Sequence, residues 1–323
     1  ASAVEIALKM SFHYWRNAGK PQKQEFVSLV GSYHGETVGA LGVTDVPLFT
    51  QAYGGMVKQA HVVMSPDARQ AESGESAKDV AQRAIHSMRT LLERRAEQIA
   101  AIIVEPLVQC AVGMAMHDAD YIRQLRHLCN EFNVHLIADE IAVGCGRTGK
   151  FFACEHAQIW PDFMTLSKGI SGGYLPLSLV MTTDAIYEAF YHDDVHRAFL
   201  HSHSYTGNPL ACRAALATLD IFAADCVIET NRTRSAAITE AAAPLARHPR
   251  VRNFRNTGMI WAFEADTAGA GFARNYHQAA LEHGVLLRPI GDTVYFMPPY
   301  VIDAEETGCL IAGALAALNE CPA

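Results

Sequence analysis

The sequence contains Val134-His135-Leu136-Ile137-Ala138-Asp139, a nearly unbroken apolar run that ends in a carboxylate. Apolar residues at both odd and even positions of so short a run predict a β-strand that is buried on both faces. Such strands are typical of parallel sheets covered by helices on both sides. Ligands of open parallel sheets gather at the carboxyl ends of the strands, so Asp139 is predicted to lie where ligands bind.

Strands and helices alternate on either side of this run. Further strands are predicted at 26–30, 101–105 and 163–167, and helices at 75–97, at 120–130 and from Asn208-Pro209 onward. This order predicts the α/β fold class, with a mainly parallel sheet sandwiched by helices.

The pattern changes after about residue 222. An Ala-rich helical stretch at 223–248 is followed by predicted strands at 257–264 and 293–297 and by predicted helices at 272–283 and 305–318. We therefore expect a large domain over residues 1–222 and a smaller C-terminal α+β domain over residues 223–323.

Composition excludes several classes of function. The 323 residues carry a net charge of −8 and contain no Lys/Arg-rich block, which argues against a nucleic-acid partner. No apolar run approaches the roughly 20 residues of a membrane helix. The eight cysteines show no zinc-ligand spacing and are expected to be reduced thiols in the cytoplasm. Because a helical pattern begins directly at Ala3, we expect that N-terminal sequence is missing.

Lys168 and Asp139 are the first candidates for chemistry. Lys168 follows a short strand and precedes Gly169, Gly172 and Gly173, which leave room for a bulky group beside the backbone. Partial burial would lower the pKa of this lysine and free its amine as a nucleophile. Asp139 would need a cation, which a protonated pyridine nitrogen supplies. The alternatives are a solvated lysine before a Gly-rich turn and a structural Asp that caps a turn.

Other polar residues are weaker candidates. Tyr33 follows the first strand and could stack on a planar ring, or it could be a tyrosine at the rim of a turn. The stretch 201–207 is rich in hydroxyl groups and precedes a helix N-terminus, which favours phosphate. Its two histidines lack a third ligand nearby, so no metal site is predicted. Arg288 could bind a carboxylate or be a surface charge.

Read together, these pieces resemble the class III aminotransferases, which are fold type I pyridoxal-phosphate enzymes. The resemblance spans essentially the whole chain, and the interval from Asp139 to Lys168 is usual for the family. The matching stretches are Tyr33-His34-Gly35-Glu36-Thr37, Ile103-Val104-Glu105-Pro106, Leu136-Ile137-Ala138-Asp139-Glu140-Ile141, Gly146-Arg147-Thr148-Gly149, Leu166-Ser167-Lys168-Gly169 and Gly207-Asn208-Pro209-Leu210-Ala211.

The resemblance implies specific roles. Lys168 would hold pyridoxal 5'-phosphate as a Schiff base, Asp139 would pair with the pyridine nitrogen, and Tyr33 would lie beside cofactor and substrate. Further cofactor contacts are implied for His34, Gly35, Gln109, His203, Ser204, Ala1 and Ser2, and substrate contacts for Lys168, Ser202, Arg147 and Arg288. A homodimer with shared active sites is also implied, with Ser204 reaching the partner's cofactor.

Three further stretches are most similar to the members that act in biotin synthesis. They are Val4-Glu5-Ile6-Ala7-Leu8-Lys9-Met10 with Tyr14-Trp15, Gly149-Lys150-Phe151-Phe152-Ala153-Cys154-Glu155-His156-Ala157, and Leu287-Arg288-Pro289-Ile290-Gly291 leading to Tyr295-Phe296-Met297-Pro298-Pro299-Tyr300. These members imply amino transfer from S-adenosylmethionine to 8-amino-7-oxononanoate. The alternatives are lysine as the donor, another ω-amino acid or diamine aminotransferase, and a catalytically inactive scaffold.

Two departures from the family bear on these roles. The phosphate-binding Gly-Ser of the family should immediately precede Ala3-Val4-Glu5, where this sequence has Ala1-Ser2 without the glycine, and Ser202-His203 replaces the common Gly-Pro. The sequence therefore leaves the amino donor and the partners of the cofactor phosphate open.

Overall fold

The computed structural model describes residues 1–266 and 270–321. The chain forms two compact units. The first comprises Ala1–Gln109, Ala115–Cys145 and Phe152–Asp220, and the second comprises Cys110–Met114, Gly146–Phe151 and Ile221–Ala323. The domain boundary expected after residue 222 stays a proposal.

The helices and strands are numbered along the chain. The helices are α1 (Ser2–Asn17), α2 (Val38–Gly42), α3 (Pro47–Thr50), α4 (Ala77–Arg95), α5 (Ala119–Glu131), α6 (Cys154–Ala157), α7 (Asp184–Glu188), α8 (Pro209–Ala224), α9 (Val227–Ala241), α10 (Ala243–Ala246), α11 (Phe272–Glu282) and α12 (Ala304–Glu320). The strands are β1 (Glu25–Leu29), β2 (His61–Val63), β3 (Ile99–Val104), β4 (Val108–Gln109), β5 (Ala115–Met116), β6 (His135–Asp139), β7 (Phe163–Leu166), β8 (Leu179–Thr182), β9 (Val251–Thr257), β10 (Ile260–Ala265) and β11 (Thr293–Phe296).

The first unit is built on a six-stranded sheet with the order β2-β1-β3-β6-β7-β8. The first five strands are parallel, and β8 pairs with β7 in the antiparallel direction. The expected mainly parallel sheet is thereby confirmed. The antiparallel edge strand β8 was not predicted from the sequence.

The two faces of this sheet are covered by different helices. Ile102 and Leu136 contribute to an apolar cluster with residues of α4 and α5, such as Met88. Ile103 and Ile137 belong to a second cluster, which contains residues of α1. Because side chains alternate between the faces of a strand, the consecutive apolar residues of β3 and β6 contact a helical layer on each side of the sheet.

Helix α1 shows why its residues form this layer. Its buried apolar residues Val4, Ala7, Leu8 and Trp15 recur at helical spacing and face the sheet. The indole of Trp15 donates to the carbonyl of Ala100 at 2.9 Å and stacks on the imidazole of His135, with ring centroids 4.5 Å apart. The N-terminal helical pattern is therefore confirmed and extends to Asn17.

Side chains cap the starts of two long helices, of which the start at Asn208-Pro209 was predicted from the sequence. Ser76 and Asp79 form a reciprocal capping box at the start of α4. The carboxamide oxygen of Asn208 accepts from the backbone N–H groups of Leu210 and Ala211 at the start of α8, with Pro209 as its first residue.

The second unit has a three-stranded antiparallel sheet with the order β11-β10-β9. Its core includes Trp261, Phe263 and Tyr276, each fully buried. The helical stretch expected at 223–248 is interrupted: Cys226 has a left-handed backbone (φ 45) between α8 and α9. β9 was not predicted, because its two Arg-Asn pairs interrupt the apolar pattern of a buried strand.

Across the part of the chain that the structure describes, no helix combines the length and the apolar character that a membrane crossing requires.

Candidate active site

Four neighbouring strands of the first unit place polar residues at one edge of the sheet. Tyr33 follows β1, Glu105 follows β3 directly, Asp139 ends β6, and Lys168 follows β7. The four strands are parallel, so their carboxyl ends meet at the same edge. The sequence analysis placed Tyr33, Asp139 and Lys168 at strand ends, and these ends lie at this one edge of the sheet.

The carboxylate of Asp139 is the most constrained group at this edge. The residue is 5% exposed. Its Oδ2 lies 2.7 Å from Nδ1 of His34, and its Oδ1 accepts from the hydroxyl of Thr165 and from the backbone N–H of Ile141, each at 3.1 Å. Three donors therefore satisfy a carboxylate that would otherwise be costly to bury.

The turn after β1 is anchored by two side chains. The backbone N–H of Tyr33 donates to the carboxylate of Glu105 at 3.0 Å, and that of His34 donates to the hydroxyl of Thr44 at 3.1 Å. The hydroxyl of Tyr33 donates to Glu36 at 2.8 Å. Burial, reinforced by the Glu36 carboxylate, raises the pKa of Tyr33 to about 12, so its hydroxyl stays protonated at neutral pH.

Lys168 lies in a strained turn. It has φ 47 and begins a short 3-10 helix, Lys168–Ser171. A side chain at the next position would be obstructed, because a Cβ added to Gly169 would lie 2.9 Å from Cβ of Cys145. The partial burial that we expected for Lys168 is wrong for this chain, in which the residue is exposed.

The residues assigned to the phosphate lie in two places. Ala1 and Ser2 are at the N-terminus of α1, beside the turn after β1: a Cβ added to Gly35 would lie 2.6 Å from Cβ of Ala1. His203 and Ser204 are exposed in the turn before α8, next to Ser202, which was assigned to the substrate and is also exposed. Their role toward the cofactor stays a prediction.

Gln109 has an observed structural role. Its carboxamide is buried, donates to the carbonyl of Val30 at 3.0 Å and accepts from the hydroxyl of Ser65. It thereby ties β4 to the end of β1. The predicted contact of Gln109 with the cofactor is untested.

The two arginines assigned to the substrate belong to the second unit. The guanidinium of Arg147 donates to the carbonyl of Pro298 at 2.8 Å and lies over the ring of Tyr300, 4.4 Å from its centroid. Arg288 is exposed between α11 and β11. Their substrate contacts stay predictions.

Glu140 and Thr165 were not selected in the sequence analysis. The carboxylate of Glu140 is 1% exposed and accepts from the backbone N–H groups of Ala153 and Cys154, each at 2.8 Å. Burial raises its pKa to about 7 in spite of these donors. The sequence did contain features that could have pointed to both residues. Thr165 is a hydroxyl residue within the apolar run of β7, and Glu140 is a second acidic residue directly after Asp139.

The arrangement fits pyridoxal 5'-phosphate. Asp139 supplies an acceptor for a protonated ring nitrogen, and the buried Nε2 of His34 has no hydrogen-bond partner among the described residues. Because Gly35 has no side chain, its backbone can lie close to Ala1 at the start of α1. No side chain caps this helix start. Free N–H groups at a helix N-terminus suit a phosphate. Lys168 lies at the same edge of the sheet with an exposed amine.

Comparison with known proteins gives consistent results. The model of the family "Aminotransferase class-III" matches residues 1–317. The chain is 43% identical to the adenosylmethionine-8-amino-7-oxononanoate aminotransferase of Helicobacter pylori, covering 99% of this chain and 73% of that protein. It is 39% identical to the protein of the same name from Anoxybacillus flavithermus, covering 97% of this chain and 71% of the relative.

Solved structures show the same fold. The adenosylmethionine-8-amino-7-oxononanoate aminotransferase of Methanocaldococcus jannaschii superposes with a TM-score of 0.90 at 31% identity, covering 99% of this chain and 73% of that chain. A PLP-bound amine transaminase from an uncultivated Pseudomonas species gives a TM-score of 0.92 at 30% identity, covering 99% and 75%.

The buried carboxyl of Glu140 predicts a pH-dependent stability. Because its pKa is raised from 4.5 to about 7, the folded chain binds more protons than the unfolded chain between these values and loses stability as the pH rises through them. The difference in unfolding free energy between wild type and Glu140→Gln should fall by about 2 kcal/mol between about pH 5 and pH 8. Urea unfolding at both pH values measures it. Glu93 is exposed and supplies the control variant, Glu93→Gln, whose unfolding free energy should change with pH as that of wild type does. The prediction would be contradicted if the unfolding free energies of wild type and Glu140→Gln differed by the same amount at both pH values.

Proposed function

This chain belongs to the class III aminotransferases, and we propose that it aminates 8-amino-7-oxononanoate to 7,8-diaminononanoate in biotin biosynthesis. The reaction is a transamination, and the cofactor is pyridoxal 5'-phosphate. The observation that carries the choice of keto acid is the shared name of the curated relatives at 35–43% identity over nearly the whole chain. We propose S-adenosylmethionine as the amino donor because that name includes it.

Each residue at the sheet edge would have a separate role in the reaction. When bound, pyridoxal phosphate supplies an electron sink for charge that develops on the substrate. Lys168 would hold the cofactor and move a proton at the substrate carbon that carries the amino group. Asp139 would keep the pyridine nitrogen protonated, and its three hydrogen-bond donors would hold the carboxylate in place. Tyr33 would lie alongside the ring.

The proposal includes a cytoplasmic location. The eight cysteines are reduced thiols, which suits a reducing compartment. Fractionation of the source cells would test the location.

Removal of the Lys168 amine should abolish transamination. Lys168→Ala should leave a folded protein, because the exposed amine contributes little to packing, and should lose turnover together with the visible absorption of covalently bound cofactor. Lys78→Ala, at an exposed lysine of α4, should retain both. Measurable turnover of Lys168→Ala with cofactor bound would remove Lys168 from its assigned role.

We also expect a homodimer with shared active sites, in which Ser204 reaches the partner's cofactor. Large apolar side chains are exposed around this segment: Leu200 is 71%, Tyr205 74% and Leu210 71% exposed. Exposed apolar patches of this kind mark interfaces.

Sedimentation of the complete protein at micromolar concentration should therefore give a dimer, with an isologous interface above roughly 2,000 Å². Leu210→Asp should weaken the dimer by placing a charge in the apolar patch, whereas Lys78→Asp on α4 should not. A monomeric wild-type protein under these conditions would contradict the proposal.

Arg288 should decide the affinity for the keto acid. Its guanidinium can bind the terminal carboxylate of 8-amino-7-oxononanoate through two parallel hydrogen bonds. Loss of such a charge-assisted contact costs about 1.5 to 3 kcal/mol. Arg288→Ala should raise the KM for the keto acid by about tenfold or more and affect the donor half-reaction much less; Arg288→Lys should recover part of the loss.

Stopped-flow measurement of each half-reaction separates these effects, and Arg274→Ala, at an exposed arginine of α11, is the control. Equal damage to both half-reactions would remove Arg288 from acceptor binding. If the complete enzyme instead aminates short keto acids far better than 8-amino-7-oxononanoate, it is a general ω-aminotransferase.

A further inference from the structure

His34 occupies an unusual position at the sheet edge. Its side chain is fully buried, and its Nδ1 lies 2.7 Å from Oδ2 of Asp139, which is 105 residues away in the sequence. Its Nε2 is buried and has no hydrogen-bond partner among the described residues. The ring therefore makes one short polar contact, and that contact is to the carboxylate.

The environment selects one form of the ring. A hydrogen bond to an ionised carboxylate requires a proton on Nδ1, because the carboxylate only accepts. A second proton on Nε2 would bury an unpaired donor, which costs free energy. The neutral imidazole with its proton on Nδ1 satisfies both conditions.

The backbone of His34 is held independently of Asp139. Its N–H donates to the hydroxyl of Thr44, which itself donates to the carbonyl of Ala40 at 2.9 Å. The imidazole thus reaches Asp139 from a fixed turn. On the other side of the carboxylate, Thr165 donates to Oδ1 at 3.1 Å. The shorter contact from His34 is the one that orients Oδ2.

We propose that His34 is a positioning residue for the reaction, which acts through Asp139. By donating from Nδ1, it holds the Asp139 carboxylate oriented toward the cofactor nitrogen. This inference rests on the proposed function. The family resemblance implied that His34 contacts the cofactor directly. We infer instead that His34 acts on the cofactor through Asp139.

Two substitutions separate a role through Nδ1 from a role through Nε2. The amide nitrogen of His34→Asn can take the position of Nδ1, whereas that of His34→Gln approximates Nε2. With saturating cofactor in the complete protein, His34→Gln should lower kcat on the order of tenfold to one hundredfold, the loss expected for a hydrogen bond to a charged group. His34→Asn should recover most of the activity, and the KM for the keto acid should change little in both.

A double-mutant cycle tests whether the effect passes through Asp139. In the Asp139→Asn background, His34→Gln should cause less than about a threefold further loss, since residues that act as one unit are strongly non-additive. Independent, multiplicative losses would overturn the proposal. Equal damage from His34→Asn and His34→Gln in the native background would overturn it as well.

A spectroscopic measurement does not depend on turnover. ¹⁵N NMR of the histidine rings in the cofactor-free protein should show His34 with its proton on Nδ1, and Asp139→Asn should shift that signal. If the wild-type spectrum shows the proton only on Nε2, the inference is overturned. This result does not depend on whether the variants fold. The proposed function fails separately, if the wild-type protein binds no pyridoxal phosphate or transfers no amino group.

Discussion

The buried carboxylate of Asp139 is the constraint on which this site depends. A charge at the end of a buried strand is unfavourable unless donors surround it, and here the donors come from three different parts of the chain. The turn after β1 supplies His34, β7 supplies Thr165, and the backbone after β6 supplies the N–H of Ile141. The hydrogen bonds to this one carboxylate thus hold three segments of the chain together. The same carboxylate is the group that can keep a pyridine nitrogen protonated.

The layered sheet makes this convergence possible. Thr165 lies directly opposite Asp139 in the pairing of β6 with β7, so a one-residue shift of that register would turn the hydroxyl to the other face. The apolar residues of β3 and β6 oppose such a shift because both faces are covered by helices. Packing far from the edge therefore determines the geometry at the edge.

Several local features at the site are unfavourable for stability alone. Glu140 is a buried carboxyl whose pKa is raised to about 7, and Lys168 holds a left-handed backbone that costs a residue with a side chain on the order of 1 to 3 kcal/mol. Both lie within a residue or two of the strand ends that carry the chemistry. This distribution fits a protein in which strain is concentrated where function needs a fixed geometry, while the cores of both units are apolar and well packed.

The sequence by itself determined the strands β1, β3, β6, β7, β10 and β11, the main helices, the mainly parallel sheet and the family, because apolar periodicity, capping residues and motif spacing are local properties. It also placed Lys168 and Asp139 at strand ends. Only the tertiary structure decided that His34 contacts Asp139, that Glu140 binds the N–H groups of Ala153 and Cys154, and that β8 runs antiparallel. These contacts depend on which strands are neighbours, in what register they pair and how the turns between them fold. A pattern of residues along the chain does not specify such partners, whether they are 13 positions apart, as Glu140 and Ala153 are, or 105, as His34 and Asp139 are.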